Sequence, residues 1–172
     1  QTVNVSGTVF RLAQANNVLG VNFGAVHVGD SVSQALTIQN VAAADGFSEG
    51  LDASFGGSSD ARILTSGSIT NRAAGGSNNA SMSVGINTGA AGLVTGTTTL
   101  NFASNGADTS GLGITALDSQ VINVDAVISI VEGRALGILC KLARKGLKVV
   151  AVPKSVENDV AATMLSFGFN SA

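Results

Sequence analysis

A chain of 172 residues is long enough to bury one real core, with room for an appendage. It carries 9 basic and 11 acidic side chains for a formal net charge of −2, and without a basic or aromatic patch this balance excludes a nucleic-acid partner. One proline, 22 glycines, no tyrosine or tryptophan and 45% hydrophobic residues exclude disorder and fit short strands joined by small-residue turns.

No apolar run approaches the roughly 18–20 residues of a membrane helix, so no membrane span is expected. Cys140 stands alone, which leaves no internal disulfide framework. The first residue is Gln1, as expected after removal of a leader or for a start within a longer chain. Charge is distributed unevenly. Before residue 130 only Arg11, Arg62 and Arg72 oppose eight acids, and lysine is absent; from Ser129 onward six basic residues meet three acids. Such a change marks two physical contexts, and the chain divides into 1–130 and 131–172.

Gln1 to Ala13 alternates Val3 and Val5 with polar residues, then Val9 and Leu12 follow Gly7, which predicts a strand bent at the glycine. Val21 to Gly24 and Val26 to Val28 predict two short strands, the second closed by Gly29-Asp30. Ala35 to Asn40 alternates with period two, the pattern of a strand with one face on a core. The order N-F-G-x-V-x-V-G, then S-x-x-L-T-I-x-N, then Ala42-Ala43-Ala44-Asp45-Gly46-Phe47-Ser48-Glu49 through Leu51 to Phe55, resembles bacterial choice-of-anchor modules, relatives of the Hydin-type immunoglobulin-like domains. That resemblance covers roughly 1–130. It implies an extracellular or cell-surface β-sandwich module with no enzymatic site attached to its fold.

Further strands are predicted at Ala61–Thr65, Ser68–Thr70, Ser81–Asn87 and Leu93–Ala103, separated by Gly- and Asn-rich turns. The expected fold is mainly β, an antiparallel Ig-like β-sandwich, with Val21, Phe23, Leu36, Ile38, Val84, Ile86, Leu100 and Phe102 in its core. The last strand, Gln120 to Ile130, repeats the first. Gln1-Thr2-Val3-Asn4-Val5 aligns with Gln120-Val121-Ile122-Asn123-Val124, and Val9 with Ile128, at an offset of about 119 residues. Chance likeness between two valine-rich strands is the plain alternative. The sharper reading is a head-to-tail series of modules.

After Ser129 the pattern changes. Ala135 to Lys145 places Leu136, Leu139 and Leu142 at helical spacing, Gly146 fits a helix end, and Leu147 to Val152 reads as a buried strand stopped by Pro153. The segment Gly146 to Ala172, GLKVVAVPKSVENDVAATMLSFGFNSA, resembles the phosphofructokinase family in its P-K-T-[IV]-[DE]-N-D and S-F-G-F-[DN]-[TS]-A motifs, with the likeness reaching back to about Ala135. By that resemblance Pro153 and Lys154 match the pair associated with pyrophosphate-using members, and Ser155 the substrate-facing hydroxyl. Glu157 stands where the family usually has the aspartate base, and Asp159 matches the second carboxylate. The family's glycine-rich nucleotide segment is not matched by Val131-Glu132-Gly133-Arg134. A piece of about 40 residues lacks the separated groups that phosphoryl transfer must position. The expectation is therefore a short helix–strand appendage over 131–172, not a complete domain and not itself an enzyme, whether joined naturally, by engineering or in assembly of the sequence.

Within 1–130, His27 has no second histidine or cysteine for a zinc site and is expected at a solvent-facing rim. Asp45 with Glu49, or Asp108 with Asp118, lack the spacing of a calcium loop. Asn4-Val5-Ser6 and Asn79-Ala80-Ser81 fit the glycan acceptor pattern. No catalytic, metal or cofactor residues are expected. The candidate residues are instead Val3, Val5, Val9 and Leu12 on one strand and Ile122, Val124 and Ile128 on its counterpart, for self-association by β-strand addition. The reading of the whole is a non-enzymatic extracellular structural module, a filament or stalk subunit whose partner is itself in a head-to-tail homopolymer, with a module of a larger surface adhesin, or a remnant of a sugar-phosphate kinase, as the alternatives.

Overall fold

Residues 1–130 are those the computed structural model describes, and every regular element among them is a strand. In chain order these are β1 (Val21–His27), β2 (Val32–Ala35), β3 (Ile38–Gln39), β4 (Gly50–Ser58), β5 (Ile63–Ser66) and β6 (Ile69–Arg72). They continue as β7 (Ser77–Asn78), β8 (Ser83–Ile86), β9 (Gly92–Asn105), β10 (Ile114–Ala116) and β11 (Gln120–Ser129). The chain separates into one compact unit over Gln1–Ile130 and another over Val131–Ala172. The helix and strand expected at Ala135–Lys145 and Leu147–Val152 lie outside the described residues.

The largest sheet runs β1-β11-β9-β4-β6, with β10 beside the end of β9 that β11 leaves free. A second sheet is β2-β8-β5 and a third pairs β3 with β7. The mainly β expectation holds, while the expectation that every strand pairs antiparallel is corrected. The main sheet curls as a half-barrel, and β1 lies parallel to β11, with Val21 opposite Val124 and Val26 opposite Ile128. These two strands come from opposite ends of the module, so no short hairpin imposes antiparallel pairing on them.

β11 shows how the sequence period becomes a core. Ile122, Val124, Ala126 and Ile128 are buried, while Val121, Asn123 and Val127 between them are exposed. They meet Val94, Leu100 and Phe102 of β9, Leu51 and Ala53 of β4, and Met82, Val84 and Ile86 at β8 in a single apolar cluster. Of the eight residues expected in the core, seven are buried, and Phe23 packs partly exposed against it. β9 spans 14 residues because its threonines and alternating apolar residues favour extended backbone throughout. Gly96 in its middle is required by proximity. A Cβ there would lie 2.8 Å from Ile63 Cδ1 and 2.9 Å from Ser59 Oγ.

The expected N-terminal strand does not form within the chain. Among the described residues, 1–10 join no strand, and Val3, Val5 and Val9 are 78%, 91% and 84% exposed. Alternation makes a segment fit for a sheet but does not supply a neighbour, and β11 already holds the place between β1 and β9. The chain joins the module at Arg11. Its N–H donates to Phe47 O at 2.8 Å, and its carbonyl accepts from Glu49 N–H at 2.9 Å.

Asn40 secures this entry. Its side chain is fully buried, and Nδ2 donates to the carbonyls of Glu49 at 2.9 Å and Arg72 at 3.0 Å. Oδ1 accepts from the N–H groups of Gln14 and Ala42, each at 3.2 Å. One amide thus satisfies four backbone groups on four segments. At the turn into β5, Asp60 accepts from the Nε, Nη2 and backbone N–H of Arg62, at 3.1, 2.7 and 2.9 Å. The Arg62 side chain, followed by its backbone N–H, holds the Asp60 carboxyl down to about 2.

Two outcomes follow from these contacts. Asn40→Ala strands four polar backbone groups and should lower unfolding free energy in urea by roughly 3 kcal/mol or more, whereas exposed Asn17→Ala should stay within about 0.5 kcal/mol. The Asp60 carboxyl should titrate by NMR with a midpoint of about 2, and Arg62→Gln should return it towards the ordinary aspartate value. Because the folded value is depressed, the pair's stabilisation is complete above the unfolded value near ~4 and is lost as pH falls through the folded one.

Candidate functional sites

The self-association residues fall into two environments. Val3, Val5, Val9 and Leu12 lie in solvent on the N-terminal arm, Leu12 being 48% exposed. Ile122, Val124 and Ile128 are buried within β11, which pairs with β9 continuously from Gln120–Leu100 to Ile128–Gly92. The structure therefore does not bring the two sets together. The place that Gln120 to Ile130 was expected to share with an incoming strand is filled by the chain's own β11.

A polar cluster gathers where β4 and β9 pair at Gly50–Asn105 and Leu51–Ser104. Glu49 is buried, and its Oε2 accepts from the Ser104 hydroxyl at 2.6 Å while Oε1 accepts from the Ser110 hydroxyl. Ser104 Oγ in turn accepts the N–H of Ala13 at 2.7 Å. Asp52 accepts from the Asn71 N–H at 2.6 Å and from Asn105 Nδ2 at 3.0 Å, and Asn71 Nδ2 donates to Asp108. A cleft of about 310 Å³ opens beside it, lined by Ser48, Gly50, Asn71, Asp108 and Thr109 among others. Each carboxylate is turned towards hydroxyl, amide or backbone donors of its own chain, so the cluster ties loops to strand ends.

Asp45 and Glu49, set aside above as a calcium pair, are engaged by donors of their own chain. Asp45 pairs with Arg11, and the Arg11 side chain first, then the Phe47 N–H, lowers its pKa. Glu49 is taken up by the two serines. His27 is exposed at the end of β1, with Nδ1 3.7 Å from Asp30 Oδ2. Among the described residues no group of three or more His, Cys, Asp or Glu side chains converges. Pro153, Lys154, Ser155, Glu157 and Asp159 lie outside the described residues.

Sequence reasoning missed Asn40 and the Glu49–Ser104 contact. A signal for the first was present. Leu36, Ile38 and Asn40 continue one period-two face, so a polar residue was due on the core side. No local pattern marks Glu49, whose partners lie 55 and 61 residues away.

No family model matches the chain. Among curated proteins, the pyrophosphate–fructose 6-phosphate 1-phosphotransferase of Amycolatopsis methanolica is 49% identical over 49 residues, covering 28% of this chain and 14% of that protein. ATP-dependent 6-phosphofructokinase 2 of Clostridium perfringens is 38% identical over 65 residues, 38% of this chain and 17% of that protein. ATP-dependent 6-phosphofructokinase 1 of Synechocystis is 40% identical over 52 residues, 30% and 14% of the two chains. The chain thus spans between 14% and 17% of the length of these relatives. A solved structure of the Vibrio cholerae VesB protease matches at a TM-score of 0.35 and 18% identity, over 63% of this chain and 31% of that one, too slight a likeness to bear on fold or function.

These matches correct the expected function. The curated relatives are sugar-phosphate phosphotransferases, which overturns the non-enzymatic extracellular structural module, the filament or stalk subunit, the adhesin alternative and the cell-surface location. The expectation that the chain is no enzyme is corrected with them, since part of it is enzyme-related. No choice-of-anchor or immunoglobulin-like relationship is shown. The chain holds a partial likeness to phosphofructokinases over about 30% of its length.

Proposed function

We propose that this chain carries part of a phosphofructokinase-type phosphoryl transferase, joined to a separate β module over 1–130. The observation that carries the reading is the 49% identity over 49 residues to a pyrophosphate-dependent enzyme, with ATP-dependent enzymes matching beside it. The sugar-phosphate motif between Pro153 and Asp159 belongs to this part. In this reading Glu157 accepts the proton of the sugar hydroxyl as it attacks phosphorus, Asp159 supplies the second carboxylate, and Lys154 favours pyrophosphate as donor. Phosphoryl transfer is a matter of positioning and charge stabilisation by groups from several segments. The part supplied here therefore works with kinase residues that these 172 do not include.

For the module, the finer reading is an Ig-like β-sandwich of the choice-of-anchor kind. It is supported by the single apolar cluster that the β2-β8-β5 sheet shares with the main sheet. The parallel β1–β11 pair is a departure from that pattern.

The kinase reading is tested by replacing the matching stretch of the Amycolatopsis methanolica enzyme with this chain's own. The chimera should convert fructose 6-phosphate with pyrophosphate. Within it, Glu157→Gln should lower kcat by about 10²–10⁴-fold, as loss of a general base does, and Glu157→Asp should retain or raise it. A folded chimera without activity, or one indifferent to Glu157→Gln, would refute the assignment.

A further inference from the structure

The N-terminal arm is a strand in composition without a strand neighbour among the described residues. Its inward-type positions Val3, Val5, Gly7 and Val9 align with Ile122, Val124, Ala126 and Ile128 of β11, which are 3%, 0%, 2% and 2% exposed. The match extends to the small residue in third place. A segment so patterned is suited to lie along a sheet edge with its valines turned inward.

The free edges differ in what they offer. β1 is bulged between Asn22 and Ala25, and its own side chains cap it: Asn22 Oδ1 accepts from Gly24 N–H, and Asp30 Oδ2 accepts from His27 N–H. β6 has Asn71 at a φ of 51°, its N–H bonded to Asp52, and the Arg72 carbonyl is taken by Asn40. At β5 the Ile63 N–H bonds Asp60 O. β10 has three residues, all exposed.

β2 is different. Leu36 N–H donates to Met82 O, so in the antiparallel register with β8 the even residues bond inward and the backbone groups of Ser33 and Ala35 point outward. Beside this edge runs a groove of about 280 Å³, between Val18–Leu19 on one side and Gln34–Leu36 on the other. Val18 and Leu36 are buried at its sides, while Leu19 is 77% exposed. Val3 and Val5 are one strand repeat apart, about 6.6 Å, the same spacing as Ser33 and Ala35.

The arm's own chain leads it elsewhere. Phe10 packs against Phe47 with ring centroids 6.0 Å apart, and Arg11 pairs with Ser48. The chain then runs through Ala13, bonded to Ser104, before reaching the groove at Asn16. The arm therefore stands at the far end of this run from the groove.

We propose that residues 2–10 of one copy add as a strand to the β2 edge of a second copy, with Val3 and Val5 entering the groove between Val18–Leu19 and Gln34–Leu36. Ser33 and Ala35 supply the backbone bonds, and the exposed side chain of Leu19 supplies apolar contact.

Two forms of the full chain test this, both carrying Cys140→Ser, one with Val5→Cys and the other with Gln34→Cys. Mixed under mild oxidation, they can be joined only by a disulfide between chains, read on a non-reducing gel. Docking raises the local thiol concentration, so linkage should be at least about tenfold faster than in a control pairing Val5→Cys with Ser58→Cys. Adding Val3→Asp to the Val5→Cys chain should abolish the difference. A rate equal to the control would overturn the proposal. So would a single chain carrying Val5→Cys and Gln34→Cys that closes an internal disulfide at high dilution, since the arm would then lie on its own module.

Discussion

A single buried amide holds the module's entry, the start of β4 and the end of β6 to one another. Asn40 gives both N–H groups to the carbonyls of Glu49 and Arg72 and takes the N–H groups of Gln14 and Ala42. Its own backbone bonds Gly75 and Gly76. Burying a polar side chain costs free energy unless every group finds a partner, and here each does. The Glu49–Ser104–Ala13 chain of bonds lies next to it and repeats the arrangement with a carboxylate. Together these contacts let an irregular segment, residues 11–20, run against a sheet without leaving its backbone unsatisfied.

Much of the module was legible because its strands alternate. Val21, Leu36, Ile38, Val84, Ile86, Leu100 and Phe102 are buried as the period-two pattern requires. What alternation cannot encode is which strand lies beside which. The same pattern fits Gln1–Leu12 and Gln120–Ile130, yet among the described residues only the second has strand neighbours. The parallel setting of β1 on β11 was illegible for the same reason, being decided by contacts about a hundred residues apart. The Glu49 cluster depends on hydroxyls that come near only after folding.

The chain brings together two chemistries. Its first 130 residues carry three arginines and no lysine, and the carboxylates of Glu49, Asp52 and Asp60 are committed to neighbouring donors. The motif that resembles phosphofructokinases lies in the lysine-bearing remainder, the part for which we propose phosphoryl transfer.

The module is closed by β11 and pinned at Asn40, and the arm projects from it. Amide hydrogen exchange of the intact chain, followed at low concentration, measures this directly. The amides of Gln14, Ala42 and the paired strands β4, β9 and β11 should exchange together, through global unfolding alone, while those of Thr2 to Val9 exchange at the rate of an unstructured peptide. Protection across Thr2 to Val9 in the dilute monomer, with β11 exchanging early, would contradict this arrangement.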